Sequence, residues 1–383
     1  MRPLLETHFP KAFNFIKQFQ LSLPIIQAPM AGADNNQLAI TIAQHGSLGS
    51  RGMGYNAAQS IASDIDELKS NSNFFNINLF IPDTRTTIEI NDPFFQNKVN
   101  ALKTFLKNNV DGLEFDLDKV AIFNPEQRFL EQMEVILDKT VPVLSTTFGA
   151  LPPHFIKVCQ QKNIYLIGTT TTVAEGKQFQ SLGYDAIVAQ GLEAGGHRGG
   201  SNARDLTREM DTISLTKALA EVVDIPIIAS GGIRDGRKFI ECLNAGASAV
   251  QIGTAFLGCS DCYSIPQAYK KLLLNNDKDT EITSAISGRN ARGIKNSLFN
   301  IMTQYQHFYP KEELPYPFPH LITAPLRIEA AKVNNGDFIA AWSGISDVAL
   351  QPLSINDFLT NMMNQAQEVI ENKLKTCSVN KKR

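Results

Sequence analysis

The sequence predicts an α/β protein built on a TIM (β/α)8 barrel, with an insertion after strand 3 and a helical C-terminal extension. Three observations predict it. Short runs rich in Val, Ile and Phe recur eight times, each closing on small or polar residues and followed by an amphipathic stretch. Their spacing is regular: five of the seven steps between run starts are 22 to 28 residues, about what a strand, two short loops and a helix require. Beyond residue 260 this rhythm stops and helix-compatible segments take over.

The runs begin at Pro24 (PIIQA), Ser47 (SLGS), Phe75 (FNINLF), Val141 (VPVLSTTF), Asn163 (NIYLIGTT), Ala186 (AIVAQG), Pro226 (PIIASGG) and Ala249 (AVQIGTAF). Two steps are long. The 66 residues from Phe75 to Val141 hold an insertion, about 81–140, with charged helix-compatible stretches such as FFQNKVNALKTFLKNN and PEQRFLEQMEVILDK. The 40 residues from Ala186 to Pro226 carry GLEAGGHRGGSNARD directly after a strand, where a barrel builds its site. The division is therefore a barrel over 20–260 and a mainly helical extension over 261–383. Helices are expected at Pro266–Asn275, Ala291–Gln304 and Ile355–Leu374, interrupted by the Pro-rich joint ELPYPFPHLITAP, and the basic tail NKKR reads as a solvated end.

Composition narrows the classes. The 383 residues have a formal net charge of -2 and only 19% charged residues, so neither nucleic acid nor an anionic membrane surface is expected as principal partner. With 43% hydrophobic residues, disorder and collagen-like fibres are excluded. The five cysteines are Cys159, Cys242, Cys259, Cys262 and Cys377, an odd and scattered set that fits a reducing compartment. Cys259 and Cys262 form a C-x-x-C without a second pair or a nearby His, so no metal site is expected. No stretch approaches the roughly 20 apolar residues of a membrane span. The reading is a cytoplasmic protein.

Two loops carry the chemistry. Ser230-Gly231-Gly232-Ile233-Arg234-Asp235-Gly236 closes the seventh run, and Gln251-Ile252-Gly253-Thr254-Ala255 closes the eighth. Paired glycines let backbone N–H groups approach a ligand, and two such loops on consecutive strands read as a phosphate cradle, the alternative being that the glycines only make tight βα turns. Walker-type and G-x-G-x-x-G sequences are absent. A phosphorylated cofactor or sugar is implied, FMN foremost, because its ring can lie across a barrel mouth. The first run ends Gln27-Ala28-Pro29-Met30-Ala31-Gly32, small enough for a flat ring to approach. On the long sixth loop, His197 stands among glycines, where an imidazole can take an acidic proton or, protonated, stabilise an anion. His45, His154, His307 and His320 lack that context.

PIIQAPMAG, GSLGS, FNINLF, QGLEAGGHRGG, SGGIRDG and QIGTAF, in this order over about 20–260, with SGRNARGIKN at Ser287–Asn296, resemble the nitronate monooxygenase family, formerly called 2-nitropropane dioxygenases. The resemblance implies an FMN-containing barrel enzyme, an oxidoreductase that oxidises alkyl nitronates with O2 to a carbonyl compound and nitrite, without reduced nicotinamide. Propionate 3-nitronate is the substrate a detoxification role implies. Carried over by position, Met30, Asn78, Gln190 and Gly195 would bind FMN, Gly232, Gln251, Ile252, Gly253 and Thr254 would hold its phosphate, and His197 would be the catalytic histidine. Thr147 stands where some members carry a second histidine. Lys332 falls at a family position, but Ala324 and Ile328 replace the tyrosines that precede it in some members, which favours a helical surface role. Gly293 and Lys295 either help close the barrel mouth or occupy an exposed turn. Arg198 either adds positive potential for an anionic substrate or pairs with Glu193 or Asp205; Glu193 itself would repel a nitronate and is not expected as a base. Two rival readings share the barrel and loops: an FMN-dependent NAD(P)H reductase of the enoyl-thioester or quinone type, and a non-catalytic flavin-binding module.

Overall fold

The structure, a computed structural model, describes residues 1–83, 89–201, 205–276 and 279–380. Its strands are β1 (Ile25–Gln27), β2 (Ser50–Gly52), β3 (Asn76–Phe80), β4 (Val143–Thr147), β5 (Tyr165–Thr170), β6 (Ala186–Gln190), β7 (Gly196–His197), β8 (Ile227–Ser230), β9 (Ala249–Ile252), β10 (Thr280–Thr283) and β11 (Ala291–Ile294). Eight form one parallel sheet in the order β1-β9-β8-β6-β5-β4-β3-β2. Between its two end strands Ile26 bridges Leu48 in parallel, and Gln27 N–H and Leu48 N–H each make a 2.9 Å bond across the seam. The sheet thus closes into the TIM barrel read from the eight runs. The second run is split: Leu48 makes the closure, and the β2 ladder begins at Ser50.

Side-chain alternation explains the wall. On β3, Ile77 and Leu79 are fully buried in the cluster under the outer helices. Asn76 and Asn78, one residue out of phase, point the other way into the barrel. There Asn76 Nδ2 donates to Ser50 Oγ (3.1 Å), and Asn78 Nδ2 donates to Ser145 Oγ (2.9 Å) and Thr147 Oγ1 (3.1 Å). Apolar burial outside the strands drives assembly at about 1.5–3 kcal/mol per large side chain, while the inner polar pairs fix the register near the mouth.

The opposite end is plugged by helices Arg2–His8 and Pro10–Gln18, each with Pro in its first turn. Phe19, just beyond them, packs edge-on against Tyr165 at the start of β5 (4.9 Å) and Phe74 ahead of β3 (5.8 Å).

The insertion forms helices Pro93–Asn109 and Pro125–Lys139. The second lies on the barrel, with Phe129, Met133 and Ile136 in its outer core. The first instead shares a separate core with the chain after residue 280: Phe95, Val99, Leu102 and Leu106 meet Leu298, Met302, Phe318 and Leu326. One cap is therefore built from two distant pieces of sequence. Helices Gln267–Asn276 and Ile355–Asn380 match the expected segments closely. The stretch from Ala291 does not begin as a helix: Ala291–Ile294 is β11, paired antiparallel with β10 and β7, and the helix starts at Ser297 behind the Asn296 cap. Pairing with another chain segment overrides the local helical pattern there. Residues 84–88 of the insertion, 202–204 of the sixth loop and 381–383 of the basic tail lie outside the described residues.

Candidate active site

At the C-terminal ends of the barrel strands lies a cavity of about 1160 Å³, its open mouth included. All ten residues expected from the sequence line it, from Met30 after β1 to Thr254 after β9, with His197 among them.

One side is backbone. Gly232 has φ +68°, the left-handed region that glycine adopts without strain. The N–H groups of Gly232, Gly253 and Thr254 have no protein acceptor among the described residues. A third strand of chain, Ala341–Ile345, completes this corner and was not singled out in the sequence. A Cβ on Gly195 would stand 2.3 Å from Gly344 N, so this close approach needs glycine. Gly344 N–H donates to Thr254 Oγ1 (3.0 Å), which leaves the Thr254 hydroxyl hydrogen free to donate. Arg234, buried, holds the segment through Gly344 O (2.8 Å) and Val348 O (2.9 Å) and brings a positive charge to the cavity wall. Across the cavity, Met30 is set by Asp34, whose carboxylate accepts from Met30 N–H (2.5 Å) and Gly52 N–H (2.9 Å) and pairs with buried Arg51.

The other side is built on His197. β7 pairs with β11, His197 opposite Ala291. Gln190 at the end of β6 clamps the loop, donating to His197 O (3.0 Å) and accepting from Gly199 N–H (2.8 Å). The imidazole Nε2 lies 2.9 Å from Ser287 Oγ, and the Ser287 hydroxyl donates to Arg289 O (3.0 Å). With that hydrogen committed, Ser287 Oγ accepts from Nε2–H, and Nδ1 is left with its lone pair. Burial, then the charge of Arg289, push the imidazole pKa down to about 3, so His197 is neutral at working pH. Arg289 itself stacks over Phe148 at 4.0 Å. Tyr316, Trp342 and Phe148 surround the imidazole with ring centroids 5.3–5.7 Å away.

Several sequence expectations resolve here. Arg198 does not face the cavity. It is fully buried, bonds Glu209 Oε2 at 2.7 Å and donates to Gln190 O at 3.0 Å, so its partner is neither Glu193 nor Asp205. Glu193 accepts from Thr212 N–H and Oγ1, both at 2.9 Å, a structural lock rather than a base. Lys332 is exposed beside Glu329 at 2.8 Å. Gly293 packs under Trp342, and Lys295 pairs at the surface with Asp279 (3.0 Å). Asn78 is held by Ser145 and Thr147: its Nδ2 lies 2.9 Å from Ser145 Oγ and 3.1 Å from Thr147 Oγ1, and the Thr147 hydroxyl also lies 3.3 Å from its Oδ1. Gln251 has no side-chain partner among the described residues. Sequence reasoning passed over Tyr55, Ser287, Tyr316 and Trp342. Only Trp342, the single tryptophan, carries a signal by its rarity.

A closed parallel barrel with a glycine-lined corner and a buried neutral histidine at its mouth defines a class, and comparison with known proteins narrows it. The family model "Nitronate monooxygenase" matches residues 14–365. A Staphylococcus aureus (strain MSSA476) chain described as a probable nitronate monooxygenase is 34% identical over 359 residues, 93% of this chain and 98% of the relative. The structure of nitroalkane oxidase from Streptomyces ansochromogenes superposes with a TM-score of 0.80 at 29% identity, over 93% of this chain and 99% of that one. FabK from Thermotoga maritima, at 21% identity and TM-score 0.69 over 95% and 98% of the two chains, shares the fold. The chain belongs to the nitronate monooxygenase family, a family of flavin-dependent oxidoreductases. Among the described residues no helix is long and apolar enough to cross a membrane.

Proposed function

We propose that this protein binds FMN and oxidises alkyl nitronates with O2 to a carbonyl compound and nitrite, propionate 3-nitronate being the substrate a detoxification role would select. The cavity fits FMN. Unpartnered amides at Gly232, Gly253 and Thr254, the free Thr254 hydroxyl and the nearby Arg234 charge suit a phosphate. Gln251 and Ile252 continue that loop, while Met30, Asn78, Gln190 and Gly195 border the space left for a ring. When bound, FMN supplies the redox chemistry, accepting electrons from the nitronate and passing them to O2.

The protein's own residues bind and orient. The aromatic wall of Phe80, Phe148, Tyr316 and Trp342 excludes water around the imidazole. His197, neutral and held by Ser287, lines the cavity. A base with a pKa near 3 is a poor acceptor for the proton of a neutral nitroalkane. The enclosure of the imidazole by three rings and its bond to Ser287 carry the choice of the preformed nitronate as substrate. The residues at 20–260 are the FMN-binding barrel and those at 261–383 close on it. The cytoplasm is the compartment we assign, on the four described cysteines, all buried and free.

Oxygen uptake by the purified protein on adding propionate 3-nitronate without NADH tests this reading, with an NADH-only trace as control. Rapid uptake with nitronate alone is expected. Silence with nitronate and flavin bleaching by NADH would replace it with the reductase reading; silence in both would leave a flavin-binding module.

A further inference from the structure

A second polar group faces the cavity beside His197. Tyr55, in the loop after β2, lines it. Its ring stacks on His320 with centroids 4.7 Å apart and planes 13° apart, and meets Phe80 edge-on at 5.2 Å. These contacts fix the direction of the hydroxyl. Tyr316 Oη donates to Tyr55 Oη at 3.0 Å, and the Tyr316 ring also touches His197 at 5.4 Å. A phenol has one hydrogen. Tyr55 takes the hydrogen of Tyr316, and its own hydrogen has no protein acceptor among the described residues.

Behind this pair stands a cation. Arg327 donates to His320 O (2.7 Å) and lies 3.2 Å from His320 Nε2 and 3.3 Å from Thr323 Oγ1; it forms no ion pair among the described residues. Burial and Arg327 keep His320 neutral, and burial lifts the Tyr55 hydroxyl to about 12, so it remains a donor at working pH. An O–H polarised by one donor and backed by an uncompensated guanidinium favours an anionic oxygen.

We propose that Tyr55 binds the substrate's anionic head, its O–H donating to an oxygen of the nitronate, with Tyr316 as the positioning residue that aims and polarises it. The proposal rests on nitronate oxidation being the activity. It assigns selection of the anion over the neutral nitroalkane to a phenol pair supplied by the β2 loop and the Pro-rich joint of the extension.

The test uses the FMN-loaded protein and two ligands that cannot be oxidised: nitrate, a planar oxyanion, and 2-methyl-2-nitropropane, a neutral nitro compound without an acidic hydrogen. Trp342, the only tryptophan, lies 5.3 Å from His197 and reports binding through its fluorescence, with flavin absorbance as a second signal. Tyr55→Phe keeps both ring contacts and is expected to weaken nitrate about tenfold or more, with the neutral ligand unchanged within about twofold. Tyr316→Phe is expected to weaken nitrate about threefold, and the KM for ethyl nitronate rises in the same order while kcat changes less. Unchanged nitrate affinity in Tyr55→Phe, or equal weakening of both ligands, overturns the proposal while wild-type oxygen uptake stands. Absence of nitronate-dependent uptake in the wild-type protein overturns the activity and the proposal together.

Discussion

The two sides of the cavity are made differently. The glycine corner is backbone: Gly231–Gly232 and Gly253–Thr254 sit directly at the ends of β8 and β9, so the barrel sets where their N–H groups lie. The His197 side is side chains from separate segments, with Tyr55, Phe80, Phe148, Ser287, Tyr316 and Trp342 converging on one imidazole or its neighbours. A backbone cradle tolerates exchange of most surrounding side chains but not of its glycines. A side-chain wall tolerates small changes singly and fails where one group orients another.

The largest effects should break one side and spare the other. Arg198→Ala leaves Glu209 buried without its partner beneath the His197 loop; a loss of about 3–5 kcal/mol is expected, read as a lowered denaturant midpoint. Gly195→Ala pushes a methyl into the Ser343–Gly344 backbone. Overpacking there should cost about 1–3 kcal/mol and abolish retention of stoichiometric FMN through gel filtration. Ser287→Ala should do the reverse, keeping FMN while nitronate turnover falls about tenfold or more, because the imidazole loses the bond that holds its orientation. If Ser287→Ala also loses FMN, the two sides are not separable as described.

A smaller effect separates them by pH. His197 and His320 are both held below the ordinary histidine range in the folded protein, His197 at about 3. Above about pH 6.5 neither folded nor unfolded chain carries these protons. As pH falls from about 6.5 toward 3, only the unfolded chain binds them, so stability is lost across that window. Melting temperature should therefore fall from pH 7 to pH 4.5, with a shallower slope in His197→Asn. Nitronate turnover between about pH 5.5 and 8 should show no step from His197, since it is neutral throughout.

The same contrast explains what the sequence discloses. The strands were legible because β-branched runs return at a βα period, and the glycine corner because its glycines follow those runs directly. His197 was legible from its glycine-flanked place on a long loop. β7 is two residues long, too short for any periodicity, and Ala291–Ile294 becomes a strand because β10 and β7 flank it. Ser287, Tyr316 and Trp342 reach the site by tertiary approach of the extension, which no local pattern encodes. Arg198, adjacent to His197 in sequence, turns the opposite way because an extended chain alternates its faces.

The most direct measurement is nitrite released per oxygen consumed when ethyl nitronate is added to FMN-loaded wild-type and His197→Asn proteins without NADH. Nitrite is expected from the wild type, with a loss of about a hundredfold or more in His197→Asn with FMN still bound, because the imidazole holds the ring wall against which the nitronate is positioned. Nitrite release at the wild-type rate in His197→Asn, or none from the FMN-loaded wild type, would contradict it.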